Sequence, residues 1–449
     1  MYAPHTDKDI QAMLEVIGAK SLEALSSLPP GLKIEKPLDI APALPEAEAY
    51  AHIKALAEAN TAARMISFLG AGAYRHYQPP AVPWFATRSE FLTAYTPYQA
   101  EASQGSLQAI FEWQTYISLL TGMDVSNASL YDGATALVEG VIMAMHANGR
   151  KKVAVSRAVH PMYRAVLDTY AAGMGLEIVE IPLGANGLTD ASAVDVLGAT
   201  CVAVQSPNFF GCIEDIAAFA KIAHDAGALC LSVTAEAMSL AVLKTPRECG
   251  ADIALGEAQS FGLPLGYGGP YAGFIASTKE HVRRLPGRLV GETKDVDGKR
   301  AFVLTLQGRE QHIRRELATS NICTNQALCA LIATVYLATV GSTGLQAIAA
   351  ANLKRARELR EALCRLPGFA AAYDAPTFNE FCLRTPVVAE PLVKRLEAHG
   401  ILAGLPLSRF YPELTHHVLV CATELTTTED IKRLSLALAK ETERAVAAV

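Results

Sequence analysis

Short apolar segments that alternate with helical segments constrain the fold of this chain more than any other feature. Five of them lie between residues 51 and 278, and each has the length of a buried strand. Strands that are apolar on both faces belong to sheets covered by helices on both sides. We therefore expect an α/β, doubly wound sheet with functional groups at the carboxyl ends of its strands. The predicted strands are residues 153–155, 201–204, 229–233, 253–255 and 273–275.

The rest of the sequence predicts an organisation in three parts. Thr6 and Asp9 have the spacing of a capping box and begin a first helix, and a proline-rich arm follows it. A long helical region begins at residue 327, is broken near Gly341, and leads into a small α/β unit. The predicted strands of that unit are residues 381–383 and 418–421. The three expected parts are residues 1–50 (helix and arm), 51–325 (large α/β domain) and 326–449 (long helix and small C-terminal α/β domain).

Composition and charge exclude several classes of protein. Half of the residues are apolar (51%) and 19% are charged, which excludes long disorder and coiled coil. The net charge of −6 gives no general attraction to nucleic acid, and the longest apolar stretch is too short to span a membrane. The N-terminus lacks the pattern of a signal peptide, and nine cysteines without a CxxC pair suit reduced thiols. We therefore expect a cytoplasmic globular protein.

Two common kinds of site are rejected on sequence grounds. The glycine pair in residues 70–72 resembles the start of a dinucleotide fingerprint, but its third glycine is missing and a proline-ended polar run follows over residues 75–80. A metal site is not expected either. His312 has no partner at metal-ligand spacing, and the adjacent His416 and His417 would point to opposite sides of a strand.

The polar residues that follow the predicted strands fit a pyridoxal phosphate enzyme better. Such an enzyme needs a phosphate cup at a helix N-terminus, a group above the pyridine ring and a carboxylate at the ring nitrogen. Asp132, Gly133 and Thr135 lead into an alanine-rich helix as a cup would, His160 could cover the ring, and Glu236 follows residues 229–233. An ordinary helix start and a capping histidine remain alternative explanations for the first two features.

The lysine that this chemistry requires is missing. Pyridoxal phosphate enzymes form an imine with a lysine side chain, and residues 251–278 contain no lysine. Residues 418–424 also lack the arginine with which such enzymes often hold a substrate carboxylate. The sequence therefore predicts the scaffold of a cofactor enzyme without the group that performs its chemistry.

At these residues the sequence resembles a known family over nearly its whole length. It is similar to glycine decarboxylase, the P-protein of the glycine cleavage system, in particular to the first (α) subunit of its split bacterial form. The longest matching segment is compositionally unusual, which makes a chance similarity negligible. The segments that carry the resemblance are residues 91–104, 127–139, 259–269 and 288–324.

The resemblance implies a fold-type I, aminotransferase-like architecture and an α2β2 assembly of homologous subunits. The β subunit of that family binds pyridoxal 5'-phosphate through its lysine, and Gln259 or Ser260 takes the equivalent place here. The implied reaction converts glycine and the oxidised lipoyl arm of the H-protein into carbon dioxide and an aminomethyl group on the lipoyl sulfur. This chain would be inactive alone. One departure is Leu317, where the family usually has lysine.

The loop over residues 95–99 is our candidate for a contribution to the partner's active site. Proline fixes the turn between Tyr95 and Tyr98, so their hydroxyl groups have little freedom to lose. We expect both tyrosines, with Gln104 and His76, to reach a cofactor held by the partner subunit. Three alternatives stay open: a surface turn whose tyrosines pack on the core, a purely structural subunit, and a self-sufficient homodimer that uses a distant lysine such as Lys244.

Overall fold

The computed structural model describes residues 4–29, 31, 32, 34, 36 and 38–447. Contacts divide the chain into two compact units, Met1–Ala63 and Arg64–Val449. The α-helices are α1 Asp7–Ile17, α2 Glu46–Ala59, α3 Ala81–Ala86, α4 Ser89–Leu92, α5 Gln104–Thr121, α6 Gly133–Asn148, α7 Pro161–Met174, α8 Ile216–Asp225, α9 Gln311–Arg314, α10 Ala327–Cys364, α11 Ala389–Leu396 and α12 Thr428–Ala447. The strands are β1 Ile66–Ser67, β2 Val125–Ser126, β3 Lys152–Ser156, β4 Glu177–Ile181, β5 Ala199–Gln205, β6 Leu229–Thr234, β7 Ile253–Glu257, β8 Gly273–Ser277, β9 Leu289–Lys294, β10 Arg300–Thr305, β11 Ala370–Ala371, β12 Glu380–Arg384, β13 Ile401–Leu402, β14 Leu405–Pro406 and β15 His417–Cys421.

The first unit contains α1 and α2. Helix α1 begins at the predicted capping box, in which the backbone N–H of Thr6 donates to Asp9 Oδ2 at 2.8 Å and the backbone N–H of Asp9 donates to Thr6 Oγ1 at 3.3 Å. Gly18 ends the helix in the left-handed conformation that glycine adopts without strain.

Seven strands form the central sheet of the second unit, in the order β2-β8-β7-β6-β5-β3-β4. Strands β3, β4, β5, β6 and β7 run parallel to one another, whereas β8 is antiparallel to both of its neighbours, β2 and β7. The five predicted strands are confirmed as β3, β5, β6, β7 and β8, with ends within two residues of the prediction. The carboxyl ends of β3, β5, β6 and β7 share one edge of the sheet because these four strands are parallel, whereas β8 ends at the opposite edge.

Helices cover both faces of this sheet, as the doubly apolar strands require. Leu137 and Val141 of α6 pack with strands β3 and β6 on one face. Phe219 of α8 and Ala333 and Tyr336 of α10 pack on the other face. Helix α6 is buried on nearly all sides over its first three turns, so it is a central helix of the second unit.

Helix α10 is long and has one sharp irregularity. Gly341 has φ 62° and ψ −179°, so the predicted break is confirmed as a kink within one long element. By length and composition alone, α10 is apolar enough to cross a membrane. Its first half packs in the core of the second unit against the large sheet, which is the behaviour of a core helix.

The end of the chain forms a smaller α/β region around a four-stranded antiparallel sheet, in the order β11-β12-β15-β14. The predicted strands are confirmed as β12 and β15. Helix α12 packs Leu434 and Leu438 into this core and begins at a capping box in which Thr427 N–H donates to Asp430 Oδ2 at 2.9 Å.

The β9–β10 hairpin was not predicted. The two strands pair antiparallel from Leu289 with Thr305 to Lys294 with Arg300. Gly298 lies in the turn with φ 77°, and its N–H donates to the carbonyl of Asp295 at 3.0 Å. The Asp297-Gly298 dipeptide is the sequence signal that predicts such a hairpin.

Candidate active site

The candidate site lies at the edge of the large sheet where the parallel strands end. His160 follows β3, Glu236 follows β6 and Gln259 follows β7. All three side chains are buried. Function in doubly wound sheets is found at this edge, so the position agrees with the expectation from the sequence.

The helix start that resembles a phosphate cup is already occupied by protein groups. Asp132 caps α6, because its Oδ1 accepts from Thr135 N–H at 2.8 Å while Thr135 Oγ1 accepts from Asp132 N–H at 3.2 Å. The N–H of Gly133 donates to Glu257 Oε2 at 3.0 Å. Burial raises the pKa of Glu257 to about 7, against the lowering effect of the backbone N–H groups that it accepts. The carboxyl group of Glu257 therefore lies where a phosphate would have to bind.

His160 contacts backbone rather than an open ring site. Its Nδ1 accepts from Met162 N–H at 3.2 Å and so caps α7, and its Nε2 lies 2.8 Å from the carbonyl oxygen of Ala71. The ring stacks on Tyr163 with 4.8 Å between ring centroids. Burial lowers the pKa of His160, which favours the neutral ring. A side chain at Gly72 would collide with this ring, because the backbone passes directly over it.

Glu236 is paired with a cation from the chain itself. Its Oε2 lies 3.2 Å from His76 Nε2 and accepts from Asn379 Nδ2 at 2.9 Å. The other nitrogen of His76, Nδ1, lies 2.8 Å from Glu424 Oε2. Burial alone would lower the pKa of His76, but the two carboxylates outweigh it and raise this pKa to about 10. A buried imidazolium ion thus lies against the carboxylate that was expected to bind the pyridine nitrogen.

Gln259, at the predicted place of the imine lysine, is also fully engaged. Its Oε1 accepts from Tyr74 N–H at 2.8 Å, and its Nε2 donates to the carbonyls of Tyr74 and Leu263 at 3.0 and 2.8 Å. The hydroxyl of Tyr74 donates to Glu380 Oε2 at 2.8 Å, and burial raises the pKa of Glu380 to about 7. The neighbouring Ser260 hydroxyl is buried and has no hydrogen-bond partner among the described residues.

The contacts of His160, Glu236 and Gln259 share one cause, which is the passage of residues 70–78 across the ends of the strands. We call residues 70–78 the inserted segment. Its backbone contacts His160 and Gln259, and its His76 side chain contacts Glu236. The groups that would have to accept the phosphate, the ring nitrogen and the aldehyde of pyridoxal phosphate are therefore bonded to the protein itself. The residues present do not fit this cofactor.

The four predicted pocket residues have different surroundings. Tyr95 and Tyr98 are exposed by 79% and 60%, and the Arg288 guanidinium lies 5.5 Å from the centre of the Tyr98 ring. Gln104 instead ties α5 to the hairpin, because its Nε2 donates to the carbonyl of Phe302 at 2.8 Å and its Oε1 accepts from the N–H of Phe302 at 2.9 Å. His76 is held in the buried ion pairs described above. The two tyrosines therefore remain the candidates for contact with a partner, and this role stays a prediction.

Lys244, the rival imine lysine, lies in a different cavity. That cavity has a volume of about 260 Å³ and includes side chains from β6, α8 and the loop around Cys249. None of Asp132, His160 or Gln259 lines it. The position gives no support to a self-sufficient enzyme based on Lys244.

Several residues of the site were missed from the sequence. Tyr74 and Glu380 had no motif around them, and these two residues lie 306 residues apart along the chain. Glu424 did carry a signal. It lies in residues 418–424, where the substrate-binding arginine was sought, and an acidic residue there indicates an internal cationic partner.

Comparisons with known proteins identify the family to which the chain is similar. Residues 1–438 match the family described as "Glycine cleavage system P-protein". The chain is 50% identical over 441 residues to "Probable glycine dehydrogenase (decarboxylating) subunit 1" of Moorella thermoacetica, covering 97% of this chain and 98% of that protein. It is 51% identical over 438 residues to the protein of the same name from Anaeromyxobacter sp. (strain Fw109-5), covering 96% and 98%.

Solved structures show the same relationship at the level of the fold. The chain is similar to a crystal structure of glycine decarboxylase (P-protein) of the glycine cleavage system in inhibitor-bound form, with TM-score 0.92, 46% identity and coverage of 98% of this chain and 100% of that chain. It also shares its fold with sphingosine-1-phosphate lyase of Burkholderia pseudomallei, with TM-score 0.64, 14% identity and coverage of 92% and 95%.

Proposed function

The chain belongs to the glycine cleavage system P-protein family, and we propose that it is the subunit of a glycine dehydrogenase (decarboxylating) that does not bind pyridoxal phosphate. The observation that carries this proposal is the inserted segment, whose contacts with His160, Glu236 and Gln259 take up the cofactor-binding groups. The relatives named subunit 1 match this chain over almost their whole length, which supports the same division of labour here.

The reaction would belong to the complex and not to this chain. Glycine would lose carbon dioxide, and the remaining aminomethyl group would be transferred to the oxidised lipoyl arm of the H-protein. The cofactor would be held by a homologous β subunit within an α2β2 assembly in the cytoplasm. Lysine is required for the imine, and the segment in which it belongs has none.

The contribution of this chain would be a wall of the partner's active site. Tyr95 and Tyr98 present hydroxyl groups on an exposed loop, and Arg288 lies against the face of the Tyr98 ring and limits its movement. A hydroxyl group held as that of Tyr98 is, with Arg288 Nη2 3.5 Å away, can orient a small polar substrate with little loss of conformational entropy. This arrangement favours an active-site role over a purely structural one.

The direct test compares the chain alone with the chain co-expressed with its partner subunit. We expect the isolated chain to show no visible cofactor absorbance, no borohydride-reducible adduct and no glycine–bicarbonate exchange in the presence of pyridoxal phosphate. The co-purified complex should be an α2β2 species by light scattering and should exchange label. A reducible adduct on the isolated chain would contradict the proposal, and so would an active homodimer.

A further inference from the structure

A basic cavity lies between the turn that follows β8 and the segment that joins the hairpin to α10, and it shares no residue with the candidate active site. Its volume is about 430 Å³. No acidic side chain lines it, whereas three arginines do. We call it the arginine cavity; its lining residues are Arg283, Leu306, Gly308, Arg309, Arg314, Leu317 and Thr319.

The positive charge of this cavity is balanced only in part by the protein, because the neighbouring Glu310 interacts electrostatically with Arg309. Among the described residues, no carboxylate lies within ion-pair distance of Arg283, Arg309 or Arg314. Glu310 is next in sequence to Arg309, but it does not line the cavity, and its Oε2 lies 3.8 Å from His312 Nδ1. Arg283 and Arg314 therefore bring positive charge to the cavity that no ion pair among the described residues offsets.

Arg309 supplies a second observation, from its hydrogen bonds. Its Nη1 donates to the carbonyl of Leu285. Its Nε and Nη2 atoms are buried and have no partner in the part of the chain that the structure describes. These two atoms form the edge of a guanidinium group that binds a carboxylate or phosphate with two parallel hydrogen bonds. Leaving that edge buried and unpaired is costly, and an anion close to it would offset the cost.

We propose that the arginine cavity is a binding site for the phosphate or carboxylate group of a small molecule. Arg309 provides the paired hydrogen bonds, and the exposed Arg283 and Arg314 provide further positive charge at the entrance. Anion binding here can be measured on this chain alone, without the partner subunit, because all the proposed ligand contacts come from this chain. The proposal is therefore independent of the proposed glycine decarboxylation.

Leu317 adds a test that the sequence itself suggests. It lines the same cavity and is 71% exposed, at the position where the resemblance implies a lysine. A lysine there would bring a fourth cation to the anion. Leu317→Lys should therefore strengthen binding, and it changes an exposed side chain without disturbing the core.

The experiment is isothermal titration calorimetry of the full chain with inorganic phosphate, at ionic strength held constant with sodium chloride. A second titration uses acetate, which separates a carboxylate source from a phosphate source. We expect saturable one-site binding that weakens about tenfold or more in Arg309→Gln, which loses the paired charge-assisted hydrogen bonds, and by a smaller factor in Arg314→Gln, which loses one positive charge. Leu317→Lys should bind several-fold more tightly.

Arg433→Gln is the matched control, because Arg433 is an exposed arginine on α12 outside the cavity. It should bind like the unmodified chain. Should Arg309→Gln fail to fold, the exposed Arg314 and Leu317 variants still decide the outcome. Binding that neither anion saturates, or that is unchanged in Arg314→Gln and Leu317→Lys, would overturn the proposal. The result does not bear on the proposed function, which is measured by exchange activity of the complex.

Discussion

His76 forms the two buried ion pairs that connect the inserted segment to Glu236 and Glu424. It separates the carboxylates of Glu236 and Glu424, both of which are largely buried. Replacing it with glutamine removes the cation and leaves two buried acids facing a neutral amide. Breaking a buried ion pair from one side typically costs about 3–5 kcal/mol, so we expect the free energy of unfolding of His76→Gln to fall by this amount in urea denaturation.

His224 offers a matched control for this variant. It forms a similar pair with Asp252, at 2.9 Å, but its side chain is 46% exposed. Exposed pairs contribute about 0–1 kcal/mol, so His224→Gln should change the stability little. Equal effects of the two substitutions would show that burial does not set the strength of the His76 pairs.

The same residue predicts a pH dependence. The pKa of His76 is raised from 6.5 to about 10 in the folded chain, so folding favours its protonated form. A raised pKa contributes stability that is complete below pH 6.5 and is lost as the pH rises through 10. The difference in unfolding free energy between the unmodified chain and His76→Gln should therefore narrow between these values. Denaturation curves at several pH values measure it, and a constant difference would be inconsistent with the buried imidazolium.

The tyrosine loop predicts a change in activity rather than in stability. Tyr95→Phe and Tyr98→Phe each remove one hydroxyl from an exposed side chain, and Tyr98→Phe also loses a long, 3.5 Å hydrogen bond from Arg288 Nη2, so we expect little effect on folding and assembly. If the hydroxyls act in the partner's site, glycine–bicarbonate exchange of the complex should fall about tenfold or more. Tyr170→Phe on α7 is the control. Normal exchange by both loop variants would favour a structural subunit.

At the scale of elements, the inserted segment is held by close backbone approach. Gly72 has φ +95°, and an added Cβ would lie 2.8 Å from His160 Nε2. Gly298 has φ +77° with nothing within 4 Å of an added Cβ. Gly298→Ala should cost about 1–2 kcal/mol for the left-handed backbone alone. Gly72→Ala should cost about 1–3 kcal/mol more, because it also forces a collision in a packed site.

Thermal or chemical denaturation of the two alanine variants measures this difference. The comparison removes the conformational cost that both share and leaves the contact with His160. Similar losses of stability in the two variants would mean that the inserted segment moves away from the histidine without cost.

Elements with local signals were predictable, and elements without them were not. The five large-sheet strands and the boxes at Thr6 and Thr427 follow from apolar runs and from spacing within three residues. The inserted segment depends instead on pairs such as His76 with Glu424, which are 348 residues apart. The hydrophobic periodicity of a sequence indicates local secondary structure and cannot predict a contact between residues so far apart along the chain. The sequence therefore predicted that the chemistry was missing, but not which residues fill the space.

For the molecule as a whole, the missing lysine is one of several features that oppose binding of pyridoxal phosphate, because protein groups also fill the rest of the site. Restoring it with Gln259→Lys or Ser260→Lys would leave Glu257 at the start of α6 and His76 against Glu236. Gln259→Lys would also remove the amide that bonds Tyr74 and Leu263. We expect neither variant to form a borohydride-reducible adduct with pyridoxal phosphate, because the phosphate and ring groups remain bonded to the protein.

Each lysine variant must first be shown to be folded, by circular dichroism and by co-purification with the partner subunit. Ser260→Lys loses no hydrogen bond among the described residues, but it places a longer side chain at a buried position, so its fold must be checked as carefully as that of Gln259→Lys. Visible absorbance and mass spectrometry after borohydride reduction then report the adduct. A stoichiometric adduct in either folded variant would mean that the inserted segment yields readily to the cofactor, and that the lysine alone separates this chain from a cofactor-binding one.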